Sequence, residues 1–125
     1  MTFTIEGTLD NLNDYIRAMN RNRYKGNALK KNNQAICNAY IKQQLRGVCI
    51  EKPVTLHFRW YEPSKRRDLD NISSFGRKVI QDALVKCGVL QNDGWSCITG
   101  FTDLFYIDKK RPRIEVEIEE SKKEK

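Results

Sequence analysis

The chain has 125 residues, 31% of them charged and 39% hydrophobic, and a formal net charge of +7. That length supports one domain with its own core, the composition is that of a soluble globular protein, and nothing approaches the roughly 18 apolar residues of a membrane span. Four scattered cysteines without a CxxC pair, and His57 as the lone histidine, argue against structural zinc and for a reducing compartment. No basic segment followed by an apolar run opens the chain, so the expected location is the cytoplasm.

Phe3 and Ile5 alternate with polar neighbours and predict a short first strand. Leu9, Leu12, Tyr15, Ile16 and Met19 recur at helical spacing, giving a helix from about Asp10 to Asn20. The polar stretch to Gly26 reads as a loop. A second helix is expected from about Asn27 to Leu45, with Leu29, Ile36, Ala39 and Tyr40 inward and Gly47 ending it. Between Tyr15 and Ile50 there is no acid, against Arg17, Arg21, Arg23, Lys25, Lys30, Lys31, Lys42 and Arg46. So one-sided a block suggests a polyanionic partner. The interleaved Asn, Tyr24 and Gly26 of "NRNRYKGN" favour nucleic acid over a membrane surface, since they supply hydrogen bonds, stacking and close backbone approach.

"PVTLHFRWY" is the clearest strand, with Val54, Leu56, Phe58 and Trp60 on one face and His57 on the other, where it is assigned no role. Pro63 closes it, and "KRRDLDN" connects to an amphipathic helix running from Ile72 through Phe75, Val79, Ile80, Ala83 and Leu84 to Cys87, stopped by Gly88. Asp82 is expected to pair with Lys86 one turn on. A strand over about Ile98–Ile107, the loop "DKKRP" and a strand over Arg113–Glu119 then predict a closing antiparallel hairpin. The sum is a compact single α+β domain, residues 1–119, with a small four-stranded, mostly antiparallel sheet and about three helices, followed by a disordered tail, residues 120–125. Asp103 shares strand phase with Phe101, Phe105 and Ile107. It therefore points inward and needs a partner, either an inward cation or a role behind a metal site.

The chemistry centres on Asp68 and Asp70, directly behind Lys65, Arg66 and Arg67. In an extended segment residues i and i+2 project to one side, so the two carboxylates can grip one hard cation such as Mg²⁺. The competing reading makes Asp70 or Asn71 the N-cap of the following helix, which explains one acid and not both. An EF-hand loop opening at Asp68 fails, because Ser73 and Val79 stand where Gly and Glu belong. Asp93, in "QNDGW", is a third carboxylate, or else a turn residue. A helix over Ile72–Cys87 is about 24 Å long, so Asp93 reaches Asp68 only if the chain doubles back, the helix bends, or a partner subunit supplies it.

"RRDLDN", the helix carrying "KVIQDALVKCGVL" and the acid in "QNDGW" together resemble the RusA family of Holliday junction resolvases over roughly residues 53–118, and "FTIEGTLDNLNDYI" is similar to the start of longer phage and prophage members. The resemblance implies a homodimeric, Mg²⁺-dependent endonuclease, with Mn²⁺ as a substitute, that cuts four-way DNA junctions in recombination and repair. It implies Asp68, Asp70 and Asp93 as catalytic metal ligands and Lys78 as the catalytic lysine. Two departures are visible: the family often has Asp-Asp where this chain has Asn92-Asp93, and Lys78 follows Asp70 by about four residues more than in compact members. Four residues turn a helix about 400° and advance it about 6 Å, so Lys78 keeps its face but sits one turn along; otherwise Arg77 or a backbone group takes its place. Arg66 and Arg67 are then expected to clamp phosphates beside the cut, with Arg21, Arg23, Lys25, Lys30 and Lys31, and Lys109 to Arg113 beyond them, holding the junction arms. The alternative is a non-catalytic protein that binds branched DNA.

Overall fold

A computed structural model of the chain describes residues 1–121. Strand β2 (Val54–Glu62) is its axis, flanked on one side by β4 (Arg113–Glu120) and on the other by β3 (Ile98–Ile107), with β1 (Thr2–Glu6) outside β4. Central placement follows from composition: along β2, buried and partly exposed residues alternate without exception, and Val54, Leu56, Phe58 and Trp60 are all at most 1% exposed. Helices α1 (Leu12–Arg21), α2 (Arg23–Gln44) and α3 (Leu69–Lys86) complete an α+β domain with a mixed sheet. The expected tail lies, from residue 122 on, outside the described residues; Glu120 itself still belongs to β4.

The predicted closing hairpin is corrected. β4 pairs antiparallel with β1 and β2, while among the described residues β3 pairs only with β2, in parallel through the α3 crossover. The "DKKRP" segment passes over the end of β2 instead of turning back on its own strand. Asp108 donates its N–H to the Glu62 carbonyl, and Gly7 donates to the Pro112 carbonyl. Five residues reach about 16 Å, ample for the roughly 10 Å between strands two places apart.

The helices depart from expectation in phase and extent. Asn22 caps both α1 and α2, accepting a hydrogen bond from the Lys25 N–H, so the predicted basic loop is mostly the first turn of α2. The inward stripe of α2 is Gly26, Leu29, Asn33, Cys37, Tyr40 and Ile41; Ile36 and Ala39 face solvent. One residue of phase is easily lost where Asn33 is as buried as its apolar neighbours. Its amide donates to Asp10 and to the Leu29 carbonyl, which removes the cost of burying it. Gly26 is buried against Met19 and serves the α1–α2 contact, not nucleic acid. Asp82 pairs with Lys78 and Lys30, not with Lys86.

All four cysteines are free. Burial pushes the Cys37 thiol up to about 12, whereas Cys49 is exposed. A disulfide reagent is therefore expected to label Cys49 fast in the native protein and Cys37 and Cys97 only on unfolding, checked by mass spectrometry of the labelled peptides.

Candidate active site

Helix α3 starts earlier than its apolar stripe suggests. Asp68 is its N-cap in extended conformation and Asp70 lies in its first turn, so the two acids stand at a helix entrance and not along an extended segment. Neither carboxylate caps the helix, and neither has a hydrogen bond or ion pair among the described residues. The other aspartates are engaged: Asp10 with Asn33, Asp14 with the Asn11 N–H, Asp82 and Asp93 with Lys78, Asp103 with Trp60 and Arg77, and Asp108 with Arg113. Asp68 and Asp70 are thus exposed oxygen donors that the fold leaves available. Such a pair suits a hard cation that retains several waters.

The loop that carries Asp68 is fixed from behind. Arg67 forks onto both Glu62 carboxylate oxygens at 3.0 and 3.1 Å and donates to the Leu9 carbonyl at 2.8 Å. Glu62 is 6% exposed, so this pair ties the end of β2 to the residue before Asp68. Neither the charge run nor any periodicity signals such a clamp. All three guanidinium nitrogens are engaged, whereas the guanidinium of the exposed Arg66 has no partner among the described residues. Arg67→Ala is expected to cost about 2–3 kcal/mol of stability, because it strands the Glu62 carboxylate in a poorly solvated place. Arg66→Ala is expected to leave the denaturation midpoint unchanged and weaken DNA binding.

Asp93 and Lys78 meet. The lysine Nζ lies 3.0 Å from Asp93 and 3.2 Å from Asp82. The hydrogen bond to Asp93, then that to Asp82, hold the ammonium above the usual lysine range, and the same bond holds Asp93 below the usual carboxylate range. Lys78 therefore stays protonated at neutral pH. Yet Lys78 stands eight residues after Asp70, about 12 Å along the helix. Among the described residues no three His, Cys, Asp or Glu side chains stand close enough to hold one metal ion. Asp68 and Asp70 fit a divalent cation, and this chain alone does not bring Asp93 to them.

Strand β3 links the two places. A cleft of about 410 Å³ lined by Asp68, Leu69, Phe105, Tyr106 and Ile107 lies at its C-terminal end. A second, of about 260 Å³, lined by Asp93, Trp95, Thr99, Gly100 and Phe101, lies at its N-terminal end. Asp103, midway, accepts from Trp60 Nε1 at 2.8 Å and from Arg77 at 3.1 Å, so its inward partner is a cation on α3. His57 bridges Thr102 and Glu119 on the opposite face of the sheet. Arg21, Arg23, Lys25 and Lys31 are exposed around the α1–α2 junction, with Tyr24 84% exposed among them, and Lys30 lies 3.9 Å from Asp82.

A family model described as endodeoxyribonuclease RusA matches residues 9–119. The chain belongs to the RusA endodeoxyribonuclease family. No curated protein matches it. Family membership makes this chain a DNA endonuclease of the Holliday junction resolvase class. The match takes in all three helices, β2, β3, and all of β4 but Glu120, hence every acid and cation of the candidate site; β1 lies outside it. No helix of the RusA-family chain is long and apolar enough to cross a membrane, among the described residues.

Proposed function

We propose that this protein is a Mg²⁺-dependent, structure-selective endodeoxyribonuclease that resolves four-way DNA junctions as a homodimer, in recombination and repair. The observation that carries the reading is the pair Asp68 and Asp70, left without protein partners at the entrance of α3 beside Lys65 and Arg66, in a chain of this family. Four free thiols fit the reducing cytoplasm.

Asp68 and Asp70 would hold the divalent ion, joined by Asp93 of a second subunit, because among the described residues one chain alone does not bring the three acids together. A divalent ion there supplies Lewis acidity and an acidified water for phosphodiester hydrolysis. The residues of the chain do the rest. Lys78, kept protonated by Asp93 and Asp82, carries the positive charge that offsets charge developing on the scissile phosphate. Arg66 takes a phosphate beside the cut, and Arg67, through Glu62, holds the loop that presents Asp68. Arg21, Arg23, Lys25, Lys30 and Lys31 take phosphates along the junction arms, where contacts fix orientation and read shape in place of sequence.

A second reading, a branched-DNA-binding protein without catalysis, draws on the absence of a three-acid cluster within one chain among the described residues. The two separate on one assay, incubation of a synthetic four-way junction with the protein in EDTA and then in Mg²⁺. Conversion of the bound junction into symmetrically nicked duplexes on adding Mg²⁺ is expected. Binding with no nicking in Mg²⁺ or Mn²⁺ would leave the non-catalytic reading standing.

A further inference from the structure

The chain has two tryptophans with opposite fates: Trp60 is 1% exposed and Trp95 is 98% exposed. An indole in water forgoes the burial of about 150–250 Å² through which aromatic side chains stabilise cores and interfaces. A single exposed apolar residue is ordinary on a protein surface. Trp95 is set apart by its support and its neighbours. The Cys97 and Ile98 N–H groups both donate to the Gly94 carbonyl at 3.0 Å, and the Gly94 N–H donates to the Asn92 side chain at 2.8 Å. Cys97 is buried and Ile98 opens β3, so the turn is anchored in the core while the ring it carries stands in solvent.

Trp95 and Asp93 line the same cleft of about 260 Å³. Gly100 lines it too, and a Cβ there would meet nothing within 4 Å, so the cleft is open to a flat group laid against the ring. Asp93 holds the Lys78 ammonium at 3.0 Å, which places a protonated amine beside it. We propose that Trp95 stacks on an unpaired nucleobase of branched DNA, in the nucleotide beside the scissile phosphate. The placement rests on the nuclease reading above, which takes Asp93 to the metal ion. Two residues span at most about 7 Å, so the backbone of Trp95 stays close to that phosphate.

In an intact duplex each base is already stacked on both faces and offers an indole nothing. Where strands exchange at a branch, a base can leave its neighbours and present a face. Stacking is tolerant of base identity, because every base has a π-face. Trp95 therefore distinguishes a branch from a duplex, and not one sequence from another. The cations of the α1–α2 corner do the reverse, since they meet phosphates, which arms and branches share. A ring on an anchored turn also loses little freedom when it binds.

Binding in EDTA tests the contact without cleavage. Iodide is expected to quench one indole of the DNA-free protein, that of Trp95, and a synthetic four-way junction to shield it where a linear duplex of one arm's sequence does not. An indole shielded before DNA is added would mean that protein covers Trp95, which overturns the contact. Trp95→Ala, at an exposed position, is expected to keep the denaturation midpoint and to bind the junction about 10- to 100-fold more weakly, as loss of one base–aromatic stack does, with duplex binding unchanged. Trp95→Phe should recover most of that affinity, and Trp95→Leu, apolar but without a π-face, little of it. Equal recovery by the two, or an equal loss for duplex, overturns stacking on an unpaired base. Junctions with one abasic nucleotide, moved through the positions around the crossover, locate the contact: at the base Trp95 covers, the parental and Trp95→Ala proteins should bind equally. A difference that persists at every position overturns it. Nicking in Mg²⁺ is scored separately. Weaker junction binding by Trp95→Ala in a protein that never nicks keeps the stacking and removes the nuclease reading; nicking by a protein whose Trp95→Ala variant binds like the parent does the reverse.

Discussion

Asp70→Asn is expected to bind a four-way junction at least as tightly as the parental chain and to cut it about 10³-fold more slowly in Mg²⁺. The figure follows from the charge stabilisation a catalytic divalent ion supplies, several kcal/mol, at about 1.4 kcal/mol per factor of ten in rate. The substitution is nearly isosteric and removes one formal charge from a side chain that makes no hydrogen bond or ion pair among the described residues. Its structural cost is confined to the favourable placement of an acid near a helix N-terminus, about 0.3–1 kcal/mol, so the fold survives. Loss of a negative charge beside bound phosphate cannot weaken binding through electrostatics. Gel-shift titration in EDTA and single-turnover cleavage in Mg²⁺ measure the two halves separately. Parental cleavage by the variant would remove Asp70 from the mechanism, and lost binding would make it a structural residue.

Trp60→Ala is expected to destabilise the chain by about 3–5 kcal/mol, a large share of the roughly 5–15 kcal/mol that holds a domain folded. Trp60 is 1% exposed and joins three parts of the core at once. Its ring stacks with Phe58 and Phe105, at centroid distances of 5.4 and 6.4 Å. Its Nε1 donates to Asp103. Its outer edge lies against α3 so closely that a Cβ at Gly76 would stand 2.7 Å from the ring. Denaturant midpoints for a small set separate these contributions. Trp60→Phe retains most of the packing and loses the indole donor, about 1–2 kcal/mol. Gly76→Ala overpacks the parental core, partly offset by the better helix propensity of alanine, but should lose that penalty in the Trp60→Ala background. A fall of less than about 1 kcal/mol for Trp60→Ala would mean that α3 does not seat on β2 through this ring.

The same contact bears on the site. Asp103 and Arg77 lock α3 to β3 midway along both elements, and Arg67 with Glu62 locks the loop before α3 to the end of β2. Between these two clamps stand Asp68 and Asp70, held by backbone and unengaged by side chain. A binding pair needs that combination, a rigid support and available donors.

The strands were legible in the chain because alternation is a local signal. Val54 to Trp60 and Ile114 to Ile118 each show it within a few residues, and burial follows it without exception. The inward turn of Asp103 was legible for the same reason, and so was the pairing of acids behind a run of cations, with the family pattern that led to RusA. Sheet order was not legible: "DKKRP" reads as a hairpin loop, and only the competition of β3 and β4 for the two flanks of β2 sends it across the strand end. Nor was the phase of α2, where buried Asn33 breaks the apolar pattern and owes its place to Asp10 on a distant segment. Which aspartates remain available was likewise decided in three dimensions, since a carboxylate is engaged or left open by partners that sequence distance does not reveal. Residue types and their spacing set the chemistry this chain can perform; long-range pairing sets which of those groups are in position to perform it.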